Sequence, residues 1–472
     1  MTEKTMVPLR LEPFRDEETG IDFRGAWDFG TGGKHLLLGA DGNILLLSDS
    51  LAEQLRAGKT GDDLAIRLLQ RGFAGLTADA GKDTLSAEAC GREEIAPGFF
   101  MIDLTDRCNM ACRYCLRDSN AVSGSRIMSR RTAERIVSCL AEYCRRQQMD
   151  QIVIQPWGGE PLLAAEMIWF IQDALAAEGV QAQFTLETNG LLLTEETCAE
   201  LYRRRIAVGV SIDGGPAVHD SQRVRLDGSP TFAAAAAGIR RLQKWYGDAV
   251  TVIATLTRQS AGGVGGILDY FAGELGLTHI KCNYVHASSF HENLDMCLSP
   301  AEIRSCASEI LDKVVGYAER GILLNEYNLY TRIINLLVNP QTDACISHGC
   351  LGGRRLITFD SEGGIYPCDV TDYPEERLGS VYSGEPLTEL LRREIPLKPY
   401  FTGKYSEACG TCPWRPYCRG GCTVHTKCLH LPAGSVDPIE CAVNRAVYPR
   451  LAELILTRPE IINLLAEQEI LN

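Results

Sequence analysis

The stretch "GFFMIDLTDRCNMACRYCLR" (residues 98–117) joins an apolar run to a loop with three cysteines. The apolar run predicts a buried strand, and Cys108, Cys112 and Cys115 follow it with gaps of three and then two residues. A structural zinc site closes with four ligands, and a redox dithiol needs only two. A [4Fe–4S] cluster held by three thiolates leaves one iron open. The loop by itself leaves these three interpretations open.

Composition limits the class of protein. The 472 residues are 45% hydrophobic and 23% charged, which is typical of a globular chain with more than one domain. A net charge of −14 argues against nucleic acid or an anionic membrane surface as a partner. The first twenty residues lack the apolar core of a secretory signal, and there is no apolar run of about 18 residues. We therefore expect a cytoplasmic protein, in which 19 cysteines predict metal or redox ligands rather than disulfides.

Six apolar runs alternate with helical patterns after residue 98. They begin at Phe99, Gln151, Gln183, Ile206, Val250 and His279. This alternation predicts a parallel sheet covered by helices. Most of the unusual residues follow strands, and in a barrel that places them together at the C-terminal face. An open, doubly wound sheet would also fit, so the alternation does not decide whether the sheet closes.

Different patterns flank this central part. Before it, "KHLLLGADGNILLLSD" predicts a hairpin, and "DSLAEQLRAG" and "DDLAIRLLQRGFAG" predict short amphipathic helices. We expect a small winged-helix-like domain over residues 1–95 and the α/β domain over 96–322. Residues 323–450 are rich in Gly, Pro and Cys, a composition that suits a domain held by metal ligation. A helical tail is expected over 451–472.

The cysteine loop resembles the signature of the radical S-adenosylmethionine (radical SAM) enzymes, with Tyr114 just before the last cysteine. The match continues with "GGEP" (158–161), "TNG" (188–190) and "SIDG" (211–214), each at the end of a predicted strand. Glycine lets backbone approach a ligand, and an arginine can pair a carboxylate. The resemblance implies that the following residues bind the cofactor: Tyr114, Gly158, Gly159, Glu160, Asn189, Ser211, Asp213 and Arg223. Arg225 competes with Arg223 for the last role.

The late cysteines resemble the SPASM domain, an extension with two auxiliary clusters found in certain radical SAM enzymes. The resemblance implies one auxiliary [4Fe–4S] cluster on Cys345, Cys350, Cys368 and Cys422. The other would be held by Cys409, Cys412, Cys418 and Cys441. Cys428 is then surplus and is expected to be a packed thiol, while two structural zinc sites are the alternative. The expected fold is α/β: a partial (β/α)6 TIM-like barrel between the winged-helix-like and SPASM domains, with three [4Fe–4S] clusters and S-adenosylmethionine.

The resemblance also implies a reaction. In such enzymes a 5′-deoxyadenosyl radical abstracts hydrogen from substrate, after an electron arrives from a donor such as flavodoxin or ferredoxin. SPASM enzymes mostly act on peptides or proteins. A cluster-bearing scaffold or electron-transfer protein is the alternative outside enzymology.

Two reactions compete on the sequence. The first is maturation of a ribosomally made precursor peptide by a thioether or carbon–carbon cross-link, which the N-terminal segment favours because such modules add a leader peptide as a strand. The second is anaerobic sulfatase maturation, in which Cys or Ser is oxidised to formylglycine. Asp369, directly after Cys368, matches the general base of those enzymes. Otherwise Asp369 caps a turn or pairs with an arginine.

Overall fold

The computed structural model describes residues 8–76, 97–117, 126–290, 294–338, 350, 352–392, 407–418, 420–432 and 434–466. Cys345, the predicted domain boundary at residue 95 and the last six residues of the predicted tail lie outside these residues. No helix in the described ranges is long and apolar enough to cross a membrane.

The strands are β1 (Leu9–Leu11), β2 (Phe14–Asp16), β3 (Ile21–Phe23), β4 (Ala26–Thr31), β5 (Lys34–Leu38), β6 (Ile44–Ser48), β7 (Ala74–Gly75), β8 (Phe99–Thr105), β9 (Gln151–Gly158), β10 (Gln181–Thr188), β11 (Ala207–Ser211), β12 (Thr251–Leu256), β13 (His279–Tyr284), β14 (Asn325–Glu326), β15 (Leu356–Phe359), β16 (Gly364–Tyr366) and β17 (Gly379–Ser380).

The helices are α1 (Asp49–Arg56), α2 (Gly61–Gln70), α3 (Arg130–Gln147), α4 (Ala165–Ala177), α5 (Glu195–Arg203), α6 (Pro216–Gln222), α7 (Phe232–Tyr246), α8 (Val264–Glu274), α9 (Pro300–Ala318), α10 (Tyr327–Val338), α11 (Leu387–Arg392), α12 (Glu407–Gly410), α13 (Arg415–Cys418), α14 (Thr423–Cys428), α15 (Pro438–Thr457) and α16 (Pro459–Ala466). Short 3-10 turns lie at Pro161–Ala164, Gly247–Ala249, Ala261–Gly263 and Pro374–Glu376.

The six predicted strands, β8 to β13, pair side by side in chain order, and every pair is parallel. A doubly wound sheet reverses its strand order at a switch point, whereas a barrel winds in one direction. The observed order therefore answers the question that the alternation left open. The partial barrel expected from the sequence is confirmed, with the strand ends that carry the motifs at one face.

The barrel sheet continues into the cysteine-rich part of the chain. β14 adds parallel to β13 at one end, and β15 adds parallel to β8 at the other. β16 and β17 then extend that end antiparallel. The sheet thus runs across the predicted domain boundary at residue 322, and β15 and β16 tie the segment leading to Cys368 to the first barrel strand. That boundary stays a prediction.

The N-terminal part has the predicted hairpin and two helices. β5 and β6 pair antiparallel, with Leu38 opposite Ile44, in a four-stranded sheet of order β1-β4-β5-β6. Successive side chains of a strand point to opposite faces. Leu37 accordingly joins a core with α1 and α2, while Leu36 faces the main core.

That second face anchors the N-terminal sheet on the cysteine-rich region. The Phe29 and Trp414 ring centres are 5.0 Å apart. The buried Tyr417 hydroxyl donates to the Gly42 carbonyl at 2.9 Å, at the tip of the hairpin. The N-terminal sheet therefore shares a core with the cysteine-rich region and is not simply appended to it.

Candidate active site

The "GGEP" glycines hold the cysteine loop against the end of β9. The Gly159 amide donates to the Thr105 carbonyl at 2.8 Å, and the Glu160 amide donates to the Arg107 carbonyl at 2.9 Å. A Cβ on Gly159 would lie 2.3 Å from the Arg107 carbonyl oxygen. Gly158 has φ of +135°, and a Cβ there would lie 2.3 Å from the Thr105 oxygen. Only glycine allows this close approach at both positions.

The Glu160 carboxylate joins the "GGEP" and "TNG" motifs by hydrogen bonds. Its Oε1 accepts hydrogen bonds from the Leu162 amide (3.1 Å) and the Thr188 hydroxyl (2.7 Å), and its Oε2 accepts from the Asn189 amide (2.8 Å). The side chain is buried, and burial raises the pKa of its carboxyl group. Both oxygens thus have donors from this chain, which joins "GGEP" to "TNG". The predicted cofactor contact by Glu160 stays a prediction.

Asn189 reaches from the third strand to the first cysteine. Its Nδ2 donates to Asn109 Oδ1 at 2.7 Å and lies 3.9 Å from Cys108 Sγ. Its Oδ1 accepts from the Leu191 amide at 3.0 Å. The amide side chain is therefore held in one orientation beside the cysteine loop.

Asp213 is the polar centre on the other side of the loop. Its Oδ2 accepts from the Tyr114 hydroxyl (2.6 Å), Arg223 Nε (3.0 Å) and Gln222 Nε2 (3.1 Å). Its Oδ1 accepts from the Thr255 amide (2.9 Å). The residue is 1% exposed. A fully hydrogen-bonded, buried carboxylate of this kind fixes the groups around it.

Arg223 is the cation of this network. Its guanidinium lies 5.3 Å from the centre of the Tyr114 ring, and its Nη1 lies 3.9 Å from Cys112 Sγ. Burial alone would lower the pKa of Arg223, but the Asp213 carboxylate, Tyr114 and Cys112 together outweigh burial and raise it. Arg223 lines the cavity described below, and Arg225 is not among its lining residues. This favours Arg223 over Arg225 for the predicted contact.

One cavity of about 1110 Å³ unites the motifs. Its described lining includes the three loop cysteines, both "GGEP" glycines, Glu160, Asn189, Ser211 and Arg223, together with Cys368, Asp369 and Cys422 from the C-terminal part. Loop, strand ends and cysteine-rich segment therefore face the same space. Asp213 supports the wall from behind through Tyr114 and Arg223.

The three loop cysteines are thiols that line the cavity. No three His, Cys, Asp or Glu side chains in the described part of the chain converge closely enough to hold one metal ion. In a cubane each thiolate binds a different iron, so the ligands stand apart. Burial raises the pKa of Cys108 to about 11 and of Cys112 to about 12. Bound iron would have to stabilise the thiolates, as metals do for coordinating thiols.

The late cysteines come together in two places. A Cβ built on Gly352 would lie 3.5 Å from Cys350 Sγ and 3.6 Å from Cys368 Cβ, so these two cysteines flank one glycine. Cys422 begins α14, where its Sγ accepts from the His425 amide at 3.4 Å, and it faces the same cavity as Cys368. Cys368 is therefore close to Cys350 and shares the cavity with Cys422, while the first ligand set, with the undescribed Cys345, stays a prediction.

In the second predicted set, Cys409, Cys418 and Cys441 lie on α12, α13 and α15, and Cys412 lies between α12 and α13. Burial raises the pKa of the Cys412 thiol, and neighbouring Cys409 and Cys441 add to that effect. Cys441 likewise adds to the raised pKa of Cys418, which burial dominates. Cys441 therefore lies within electrostatic reach of each of the other three thiols. The surplus Cys428 is buried, as expected, with the Tyr373 hydroxyl 3.9 Å from its sulfur.

Asp369 lies on the cavity wall next to Cys368, whose thiol donates to its Oδ1 at 3.2 Å. Arg117 is close enough for an electrostatic interaction with Asp369, but its ion pair at 2.6 Å is with Asp103. Burial raises the pKa of Asp103 to about 6 in spite of that pairing. The sequence left open that Asp369 pairs with an arginine. Arg117 is a neighbour of Asp369, but its direct ion pair is with Asp103.

Sequence reasoning missed several polar residues of the site. Gln222 donates to Asp213 and is fully buried, and His219 accepts from the Asp213 amide. Both lie in "VHDSQRVR", where polar residues just before Arg223 were the available signal. Asp103 and Arg117 were also missed. Asp103 lies in an apolar strand and Arg117 at the end of the following loop, and no local sequence pattern indicates that they pair.

The sequence model of the Radical SAM superfamily matches residues 102–262. A serine-type anaerobic sulfatase-maturating enzyme of Bacteroides thetaiotaomicron is 26% identical over 348 residues, which cover 67% of this chain and 80% of that protein. The mycofactocin maturase MftC of Mycobacterium ulcerans is 24% identical over 373 residues, covering 78% and 93%.

Solved structures show the same fold. Native anSMEcpe with bound AdoMet has a TM-score of 0.67 at 20% identity, covering 76% of this chain and 99% of that one. Streptococcus suis SuiB bound to S-adenosylmethionine has a TM-score of 0.54 at 13% identity, covering 86% and 96%. The cysteine-rich C-terminal part is consistent with a SPASM domain. With the cysteine loop and its motifs on one cavity, these matches show that the chain carries a radical SAM domain, over residues 102–262, and that it is an enzyme.

Proposed function

We propose that this enzyme is a maturase that modifies a peptide or protein by hydrogen abstraction. The observation that carries the proposal is the shared cavity: the cysteine loop lies on one wall, and Cys368, Asp369 and Cys422 lie on another. When bound, the cluster and S-adenosylmethionine would supply the one-electron chemistry that removes a hydrogen atom from a substrate carbon. The chain itself supplies ligands, orientation and exclusion of water.

Cys108, Cys112 and Cys115 would hold the cluster that binds the cofactor. Three thiols on one short loop leave a fourth position for a chelating small molecule. Gly158 and Gly159 allow the backbone of the loop to lie close to the end of β9. A side chain at either position would clash with the backbone of Thr105 or Arg107.

The remaining motif residues would hold S-adenosylmethionine. Arg223, fixed by Asp213 and lying over the Tyr114 ring, would pair the cofactor's carboxylate. Ser211 and Asn189 line the same space and offer hydrogen bonds. We propose that Glu160 and Asp213 act mainly by holding these groups in place, since their carboxylates already accept hydrogen bonds from this chain.

We also propose two auxiliary clusters on the ligand sets predicted from the sequence. Cys368 and Cys422 of the first set face the substrate cavity, which favours a redox role beside the reacting carbon over a purely structural zinc site. The second set, on Cys409, Cys412, Cys418 and Cys441, lies within the region that anchors the N-terminal sheet.

Two kinds of substrate fit, and both kinds of relative are found. The sulfatase-maturating enzymes and the mycofactocin maturase match with similar identity. Native anSMEcpe has been solved with the Kp18Cys peptide, and SuiB with the precursor peptide SuiA. Asp369 on the cavity wall favours formylglycine formation, in which it would accept a proton. The N-terminal sheet favours a precursor peptide with a leader.

We propose that a leader peptide would add to the β1 edge of the N-terminal sheet. The two edges of that sheet are β1 and β6. At β6 the Arg67 side chain donates to the Leu46 carbonyl at 3.0 Å, so that edge is partly covered. On β1, Leu9 is half exposed. Strand addition uses unpaired backbone groups for affinity and side-chain pockets for specificity.

Mass spectrometry can test the function. The reconstituted, reduced enzyme is incubated with S-adenosylmethionine and a peptide encoded beside its gene, or with a sulfatase peptide carrying Cys or Ser. A thioether forms an S–C bond and loses two hydrogens. Formylglycine from Ser also loses two hydrogens, and formylglycine from Cys in addition releases sulfur as sulfide and gains its aldehyde oxygen from water. A new aldehyde would favour sulfatase maturation, and an aldehyde-free loss of two hydrogens would favour a cross-link. Absence of 5′-deoxyadenosine would contradict the proposed chemistry.

A further inference from the structure

Thr231 begins helix α7 but does not cap it in the usual way. A threonine at this position normally accepts a hydrogen bond from the first turn of its own helix. Among the described residues, the Thr231 side chain makes no such bond. Instead, Asp220 Oδ1 accepts from the amides of Thr231 and Phe232, both at 2.8 Å. Asp220 therefore caps the N-terminus of α7, and the Thr231 hydroxyl is left to form a different hydrogen bond.

The hydroxyl of Thr231 donates to the Arg223 carbonyl at 2.7 Å. On its other side lies His219 Nε2 at 3.0 Å, and His219 Nδ1 lies 3.3 Å from the Asp213 amide nitrogen. His219, Thr231 and Asp213 are each at most 1% exposed. Three buried hydrogen bonds thus connect the backbone of Asp213 to the backbone of Arg223.

The proton positions in this chain have a single consistent assignment. The Asp213 amide can only donate, so His219 Nδ1 must be the acceptor. In a neutral imidazole the proton is then on Nε2 and is donated to Thr231 Oγ1. The Thr231 proton goes to the Arg223 carbonyl, which can only accept. Burial lowers the pKa of His219 to about 4, in agreement with a neutral ring.

The side chains close the ring. Arg223 Nε donates to Asp213 Oδ2 at 3.0 Å, so the two residues are joined through backbone and side chain. The Arg223 amide also donates to the His219 carbonyl at 2.8 Å, at the end of α6. Neither His219 nor Thr231 lines the cavity, so they act on it through Arg223 and Asp213.

We propose that His219 and Thr231 are positioning residues that set the Arg223 guanidinium for the carboxylate of S-adenosylmethionine. The inference rests on the proposed cofactor contact of Arg223. It goes beyond that contact because it assigns part of the affinity for the cofactor to two further residues. These are the neutral His219 and Thr231, whose hydroxyl does not cap α7. Loss of the donor to the buried Arg223 carbonyl should let Arg223 shift, and a displaced guanidinium should bind the cofactor's carboxylate about tenfold more weakly.

The first measurement is cofactor affinity, by isothermal titration calorimetry on the cluster-loaded protein. Thr231→Val should weaken S-adenosylmethionine binding about tenfold. Thr231→Ser retains the hydroxyl and should stay within about twofold of the wild type. Thr194→Val is the matched control, because Thr194 begins α5 and its hydroxyl does cap that helix, accepting from the Thr197 amide at 3.1 Å. It should lower thermal stability without changing the affinity.

The second measurement needs no cofactor. ¹⁵N NMR of the histidine-labelled protein, with the His219 signals assigned by their loss in His219→Gln, should show a neutral ring protonated at Nε2 from pH 8 to 5.5. A ring protonated at Nδ1, or a charged ring at pH 7, would overturn the hydrogen-bond chain. Wild-type affinity in Thr231→Val would overturn the positioning role. A wild-type protein that binds no S-adenosylmethionine, but shows the expected spectrum, would instead contradict the proposed cofactor contact and with it the positioning role.

Discussion

The Tyr114 hydroxyl donates a hydrogen bond of 2.6 Å to Asp213 Oδ2, across 99 residues of sequence. One residue belongs to the cysteine loop after the first barrel strand, and the other lies just after the fourth. Tyr114 is buried and packs in a small cluster with Val285 and Met296. This bond therefore ties the loop to the far side of the barrel face.

Tyr114→Phe should lower the free energy of unfolding by about 2 kcal/mol, since a hydrogen bond to a charged group contributes about 1.5–3 kcal/mol. Urea denaturation of the apoprotein measures this change. Tyr246→Phe is a suitable control, because the Tyr246 hydroxyl donates to a neutral acceptor, the Ile206 carbonyl, at 2.7 Å. Its loss should be about 1 kcal/mol. Equal losses in the two variants would contradict the special role of Asp213.

Replacing Cys108, Cys112 and Cys115 together by Ala should abolish cleavage of S-adenosylmethionine and lower iron by about four atoms per chain, from about twelve. Iron analysis and 5′-deoxyadenosine assay check the two effects. Cys198→Ala removes a buried thiol outside the predicted ligand sets and should leave iron unchanged. An intact protein with about four iron atoms would rule out both auxiliary clusters.

Asp369→Asn should lower formation of the modified peptide by about 10²-fold or more, because general base catalysis is usually worth at least that much. Cleavage of S-adenosylmethionine without substrate should persist, since the cysteine loop is untouched. Product and 5′-deoxyadenosine are measured in the same reaction. Asp372→Asn, three residues away and exposed, provides the control. Normal product formation by Asp369→Asn would assign Asp369 a structural role.

His219 makes stability depend on pH. Burial, reinforced by the Arg223 charge and opposed by Asp213 and Asp220, lowers its pKa from 6.5 to about 4. The folded state favours the neutral ring, so this contribution to stability is complete above pH 6.5 and falls as the unfolded chain takes up protons below it. About 2 kcal/mol should be lost by pH 5. Urea denaturation at pH 7.5 and pH 5 should show a smaller difference for His219→Gln; equal differences would contradict the prediction.

Substitution at the sheet edges tests leader binding better than removal of residues 1–95, which would uncover the Trp414 ring that packs on Phe29. Leu9 is 50% exposed on β1 and Leu46 is 47% exposed on β6, so Leu9→Lys and Leu46→Lys form a matched pair. Leu9→Lys should weaken binding of a fluorescent peptide encoded beside the gene, with Leu46→Lys close to the wild type. Unchanged anisotropy titrations for both would speak against strand addition.

Much of the barrel could be predicted because its signals are local. Apolar runs such as Phe99–Thr105 and Gln151–Gly158 show their strands within a few residues, and the helices between them show their own period. The three cysteines of the loop are near neighbours in sequence, so their spacing alone predicted a ligand set. The glycines of "GGEP" were visible in the same way, although not the carbonyl oxygens that require them.

Only the tertiary structure decided what depends on distant contacts. The direction in which the strands wind, the addition of β15 to β8 and the anchoring of Phe29 on Trp414 involve residues far apart in the chain. The same holds for the partners of Glu160 and Asp213. The sequence by itself determined the elements and the cysteine loop with its motifs, because periodicity and spacing act over a few residues. The cavity and its buried hydrogen bonds required packing, which brings together side chains that share no local pattern.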